Sequence, residues 1–224
     1  MSRAEDALRR AVVAASRELV AAGLTQGTSG NIAVRLGAEM LVTPSGIAPA
    51  ALEPEMISAM PLAAAEADGG RTWRGPLPPS SEWRLHRAVL AARPGAAAVV
   101  HTHSPHATAL AMARRPIPAC HYMVALFGGE DVRVSGYETF GSEALAQAAV
   151  AALDGRSACL LANHGALVVA EDLARAMWLA AELETLARQY LLSLAAGGPV
   201  LLDEREMAEA RQAFAGYGPR RQAD

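Results

Sequence analysis

Helical and extended periodicities alternate along the chain. Between Arg3 and Ala22, Leu8, Val12, Ser16 and Leu19 recur at three- or four-residue spacing and Gly23 supplies a stop, which predicts a first helix. A loop, Thr25-Gln26-Gly27-Thr28-Ser29-Gly30-Asn31, leads into predicted strands Ile32–Leu36 and Met40–Thr43, joined by a turn at Gly37. Glycines and prolines make Ala63–Pro79 an exposed connection. A helix follows over Glu82–Ala92, with Ser80 or Ser81 as its cap and Pro94 and Gly95 ending it. Ala97–His103 is the most strand-like run. After it come a helix from Pro105, a loop-rich middle with Pro116 and Pro118, and a helix over Ser142–Leu153. Strands Ala158–Leu161 and Ala166–Ala170 flank a turn at Asn163-His164-Gly165, the pattern of a hairpin. Long helical periodicity then covers Asp172–Ala196, and a final helix Asp203–Phe214 precedes a polar tail with Gly216, Tyr217 and Gly218. Helices interleaved with short Val/Ile/Leu runs predict an α/β domain in which helices cover a sheet. With no internal repeat and no long linker, residues 1–224 are expected to form a single domain.

Composition agrees, and it removes several chemistries. At 52% hydrophobic and 19% charged, 224 residues can bury a sizeable core. All 20 basic residues are arginine. Without lysine there is no side-chain amine for a Schiff base, for anchoring pyridoxal phosphate or for a P-loop. Chemistry on a carbonyl therefore needs another electron sink, for which a metal is the natural candidate. A net charge of -3 gives no broad positive field for nucleic acid. Charges run throughout the N-terminal stretch, which fits neither a secretory signal nor a membrane span and predicts a cytoplasmic protein. Cys120 and Cys159, in apolar surroundings without CxxC spacing, are expected to be buried free thiols.

His101 and His103 lie two apart at the end of a predicted strand, so the pleat sends both imidazoles to one face. His164, in the tight turn at another strand end, would join them if those ends are neighbours, and three histidines with an open fourth position form a catalytic zinc arrangement. An HxH pair alone is more often a surface or structural feature than a site. Glu82 reads two ways: as a first-turn carboxylate favoured by the helix dipole, or as a metal ligand and general base. Three loops rich in small residues, Gly27–Asn31, Thr43–Gly46 and Ser80-Ser81, suit a phosphate without lysine, although each alone is an ordinary turn. His86, His106 and His121 lack a matching partner spacing and are read as structural or supporting.

Seven motifs in order, GLTQGTSGNIAVR, LVTPSGI, LPPSSEWRLH, VVHTHSPHATALA, IPACHYM, YETFGS and LLANHGALV, resemble the class II aldolase/adducin family over nearly the whole chain, most closely its L-fuculose-1-phosphate aldolase branch. The resemblance implies a three-layer αβα fold with a central, largely antiparallel sheet. It also implies one zinc ion per subunit, with Mn2+ or Co2+ as substitutes, and a homotetramer of fourfold cyclic symmetry with active sites between subunits.

Residue by residue, the resemblance makes His101, His103 and His164 the metal ligands, with Glu82 the resting fourth ligand and catalytic acid/base. Thr28, Asn31, Ser45, Gly46, Ser80 and Ser81 match phosphate-binding positions. Tyr122 matches a tyrosine that a neighbouring subunit contributes to hand a proton to the aldehyde oxygen, and Phe140 and Tyr217 match residues of the aldehyde pocket. The implied reaction is reversible cleavage of a ketose 1-phosphate, such as L-fuculose, 5-deoxyribulose or 5-methylthioribulose 1-phosphate, to dihydroxyacetone phosphate and an aldehyde. The family also holds L-ribulose-5-phosphate 4-epimerases, methylthioribulose-1-phosphate dehydratases and the non-catalytic adducin heads. The epimerases usually carry Asp where this chain has Glu82, which favours aldolase, and the intact histidines argue against an adducin-like binding module.

Overall fold

The computed structural model describes residues 2–63 and 72–215. Seven strands form one sheet: β1 (Asn31–Leu36), β2 (Glu39–Val42), β3 (Ser58–Pro61), β4 (Ala98–Thr102), β5 (Arg133–Val134), β6 (Ala158–Leu161) and β7 (Gly165–Ala170), in the order β3-β2-β1-β4-β7-β6-β5. Every pairing is antiparallel except the parallel contact of β5 with β6, so the expected largely antiparallel sheet is found.

Strand alternation sorts the sheet residues onto two faces. Ile32, Val34, Leu41, Ala98, Val100, Leu160, Ala166 and Val168 pack with α1 (Arg3–Ala21), α3 (Pro105–Met112) and α5 (Leu173–Ala195). Ala33, Met40, Val42, Val99, Cys159, Leu161, Leu167 and Val169 pack with α2 (Trp83–Ala92) and α4 (Glu143–Ala152) on the other side. The two cores make the three layers. α6 (Glu204–Ala215) adds Met207 to the first of these cores and packs against a 3-10 helix at Tyr122–Phe127.

Most predicted elements recur within one residue of their expected ends. β3 and β5 were not foreseen: β3 is a four-residue edge strand ending in proline, and β5 is two residues long. The expected connection over Ala63–Pro79 is paired in part, because Arg74 bridges Ala59 and Pro79 bridges Pro44. The cap of α2 also differs from expectation. Its N-cap is Glu82 itself, whose side chain makes no cap bond, while Ser80 Oγ accepts only the Glu82 N–H at 3.3 Å. Both cysteines are free, Cys159 buried and Cys120 only half-buried. Among the described residues, no helix is long and apolar enough to cross a membrane.

Candidate metal centre and adjoining cavity

The register of the central strands assembles the site. β4 lies between β1 and β7, with Asn31 opposite His101 and Thr102 opposite Ala166, while the β6–β7 turn carries His164 to the same end of the sheet. His101 is fully buried within β4, and His103 stands one residue past its end. Their Nε2 atoms are 2.9 Å apart, and one ring nitrogen from each of His101, His103 and His164 lies within 4.8 Å of the others. His101 Nδ1 is 3.0 Å from the Ala166 carbonyl oxygen, a bond that turns Nε2 into the cluster. The turn is built for this closeness. Asn163 takes a left-handed φ of 55°, and a Cβ on Gly165 would fall 2.4 Å from the Thr102 carbonyl oxygen.

Glu82 approaches from the start of α2. Its Oε2 is 3.2 Å from His101 Nε2 and accepts a 2.9 Å bond from Asn31 Nδ2. Its Oε1 lies 3.3 Å from His164 Nε2 and, although buried, has no hydrogen-bond partner. The carboxylate thus spares its side chain from capping α2 and turns it to the histidines.

Burial pushes His101 down to about 3, against a smaller opposing pull from Glu82. Burial also lowers His103. Both imidazoles are therefore neutral near pH 7, the form in which histidine ligates metals. For Glu82, burial favours the protonated acid, but His101, the Asn31 bond and His164 outweigh it and hold the carboxyl below its usual range. A cation among three imidazoles and a carboxylate with an orphaned oxygen would satisfy every one of these groups, so the donor set fits a tetrahedral divalent ion.

A cavity of about 330 Å³ opens beside the cluster. Its walls include His103, His164 and Glu82 together with Thr28, Asn31, Ser45, Gly46, Ser80 and Ser81, so all six expected phosphate-site residues line one space with the histidines. Backbone bonds hold two of those loops side by side: Ser80 N–H donates to Thr43 at 2.9 Å and Ser45 N–H to Pro78 at 3.2 Å. Phe140 lines the same cavity. Tyr122 does not; it is 53% exposed and stacks on His121 and Phe214, with ring centroids 4.6 and 5.9 Å away. Tyr217 lies outside the described residues.

Sequence reasoning missed three features. Tyr137 and Glu138, inside the YETFGS motif, also line the cavity. His86, set aside for want of a partner, sits against Asn31, and its four-residue spacing from Glu82 was the available signal. Glu184 of α5, which no motif marks, accepts the N–H groups of His106 and Ala107 just after the histidine pair.

Comparison with known proteins decides the family. The sequence model for the class II aldolase and adducin N-terminal domain matches residues 10–191. The chain belongs to the class II aldolase/adducin family. A 5-methylthioribulose-1-phosphate/5-deoxyribulose-1-phosphate aldolase of Rhodospirillum rubrum is 46% identical over 95% of this chain and 93% of its own length. An L-fuculose phosphate aldolase of Escherichia coli is 42% identical over 95% of this chain and 96% of its own. The solved structure of an L-fuculose 1-phosphate aldolase superposes with a TM-score of 0.86 at 37% identity, covering 92% of this chain and 95% of that one. Class II aldolases are metal-dependent, and among the described residues His101, His103 and His164 form a cluster suited to hold the ion.

Proposed function

We propose that this class II aldolase reversibly cleaves a ketose 1-phosphate to dihydroxyacetone phosphate and an aldehyde, with 5-methylthioribulose, 5-deoxyribulose and L-fuculose 1-phosphates as the candidate substrates. The observation that carries this reading is the meeting of three imidazoles and the orphaned Glu82 Oε1 at a cavity walled by small hydroxyl-bearing loops. Similarity to the R. rubrum and E. coli aldolases supports the choice of substrates.

His101, His103 and His164 would hold Zn2+, with Glu82 as the fourth ligand before substrate arrives. When bound, the ion supplies the electrophile that draws charge from the ketose oxygens, the part a lysine cannot play in a chain that has none. Thr28, Ser45, Gly46, Ser80 and Ser81 would bind the phosphate, and Asn31 would join them through the second N–H of its Nδ2. Anchoring the phosphate there holds the reacting carbons near Glu82, so the bond is broken in a fixed geometry. In cleavage, Glu82 gives a proton to the carbon that becomes the hydroxymethyl carbon of dihydroxyacetone phosphate; in synthesis it removes that proton. Tyr122, supplied across an interface by a second copy, would protonate the new alkoxide during synthesis. Its exposure and its position away from its own chain's cavity support that assignment. Phe140 and Tyr217 would line the aldehyde side. We further read residues 1–224 as one domain acting in a cyclic homotetramer in the cytoplasm.

The test is a coupled assay of dihydroxyacetone phosphate release from the three ketose 1-phosphates, with and without chelator. Chelator-sensitive release restored by Zn2+ is expected. No release from any of them by zinc-loaded protein would overturn the aldolase reading and favour the dehydratase or epimerase chemistry of the same family.

A further inference from the structure

Asn31 stretches its amide between two side chains of α2. Nδ2 donates to Glu82 Oε2, and Oδ1 meets His86 Nε2. Glu82 and His86 stand four residues apart, one helical turn, so a single amide from β1 bridges both. Asn31 and His86 are 7% and 0% exposed.

The acid end fixes the polarity of this chain. An ionised carboxylate only accepts, so the amide must turn its nitrogen to Glu82 and its oxygen to His86, and His86 Nε2 must carry the proton. The other ring nitrogen, Nδ1, is buried with no hydrogen-bond partner. A leucine here would remove that unpaired nitrogen, but it would leave the Asn31 Oδ1 without the His86 N–H. What the imidazole provides in exchange is one N–H aimed at Asn31. That N–H opposes any flip of the amide, which would set its oxygen against the Glu82 carboxylate.

We infer that His86 is a positioning residue: acting through Asn31, it fixes the rotation of the Glu82 carboxylate so that Oε1 stays turned toward His164 and the histidine cluster. Burial lowers His86 to about 4, which keeps it a neutral single donor in the working range. The inference rests on the reading of the cluster as a metal site, and it predicts that His86 influences the ion only by way of Glu82.

A double-mutant cycle on zinc affinity tests it, with no turnover needed. Zn2+ is titrated into metal-free wild type, His86→Leu, His86→Gln, Glu82→Ala and the His86→Leu/Glu82→Ala double variant, by competition with a chromogenic chelator. His86→Leu is expected to weaken zinc about tenfold. His86→Gln, which can offer an amide N–H to Asn31, should recover most of that loss. In the Glu82→Ala background the leucine should have no further effect. Unchanged affinity in His86→Leu, or an equal loss in both backgrounds, would overturn the inference. Should the leucine variant fail to fold, His86→Met carries the same comparison. Failure of wild type to bind zinc would overturn the metal reading itself, and this inference with it.

Discussion

Gly165 leaves no room for a side chain beside His103: a Cβ there would lie 3.0 Å from His103 Cδ2 and 2.4 Å from the Thr102 carbonyl oxygen. The second atom is backbone of β4, so the clash cannot be relieved by turning a flexible group. Gly165→Ala should therefore part the ends of β4 and β7, where the three histidines meet. We expect a loss of roughly 1–3 kcal/mol in stability, as for other overpacked interiors, and a larger proportional loss in zinc affinity. Thermal melts with and without Zn2+ separate the two, and unchanged affinity would show that the strand pair yields without disturbing the ligands.

His103 stands past the end of β4 and is partly exposed, so its removal should spare the fold. His103→Ala is expected to melt near the wild-type temperature when both are metal-free, but to lose stoichiometric zinc and turnover together. Metal analysis after gel filtration checks this. A zinc-free variant with wild-type activity would end the metal assignment.

Glu82→Gln keeps the shape of the side chain and an oxygen to accept the Asn31 bond, but it cannot shuttle a proton. We expect an intact fold, weakened yet measurable zinc binding, and a fall in turnover of at least about a hundredfold, the usual scale for a lost general acid/base. Exchange of solvent deuterium into dihydroxyacetone phosphate, followed by NMR without aldehyde, isolates that step. Near-normal exchange would move the proton transfer to another group.

The fold was legible wherever periodicity ran long enough to be read. α5, with 23 residues, and the strand pair β6–β7 were expected almost to the residue. β3 and β5 escaped because a short edge strand ending at Pro61 and a two-residue strand carry too few positions to show alternation. At the site, His101, His103 and His164 were readable because strand ends project side chains in predictable directions. The link from His86 through Asn31 to Glu82 was not, because two of its members sit on α2 and the third on β1, 51 residues before Glu82. Only tertiary packing decides that an asparagine in a loop-like GTSGN run, besides lining the cavity, also ties Glu82 to His86.

The buried histidines set a pH dependence for the metal-free protein. His101 titrates at about 3 and His86 at about 4 in the folded state, against 6.5 for an ordinary histidine, in both cases because burial disfavours the cation. Between pH 6.5 and 4 the unfolded chain thus binds more protons than the folded one, so stability rises with pH and is lost as pH falls through this window. Glu82, held below 4.5, adds in the same sense below that value. Urea midpoints of metal-free protein should fall steadily from about pH 7 to about pH 5. A flat profile there would mean that the histidines are not buried as neutral groups.

Glu184 reaches from α5 to the start of α3, the helix that follows the histidine pair. Its Oε1 accepts the His106 N–H at 3.0 Å and lies 2.6 Å from His106 Nδ1, and its Oε2 accepts the Ala107 N–H at 2.9 Å. Ser104, the N-cap of α3, makes no cap bond with its own side chain, so the two N–H groups depend on a carboxylate from another helix. That carboxylate also opposes the positive end of the α3 dipole. Glu184→Ala should cost about 1–2 kcal/mol, the range for a lost helix cap, while Glu184→Gln, which keeps one acceptor, should cost less. Because α3 begins two residues after His103, the alanine variant should also loosen zinc, by less than loss of a ligand would. Urea unfolding and zinc titration of both variants check the order, and an alanine variant as stable as wild type would remove Glu184 from its capping role.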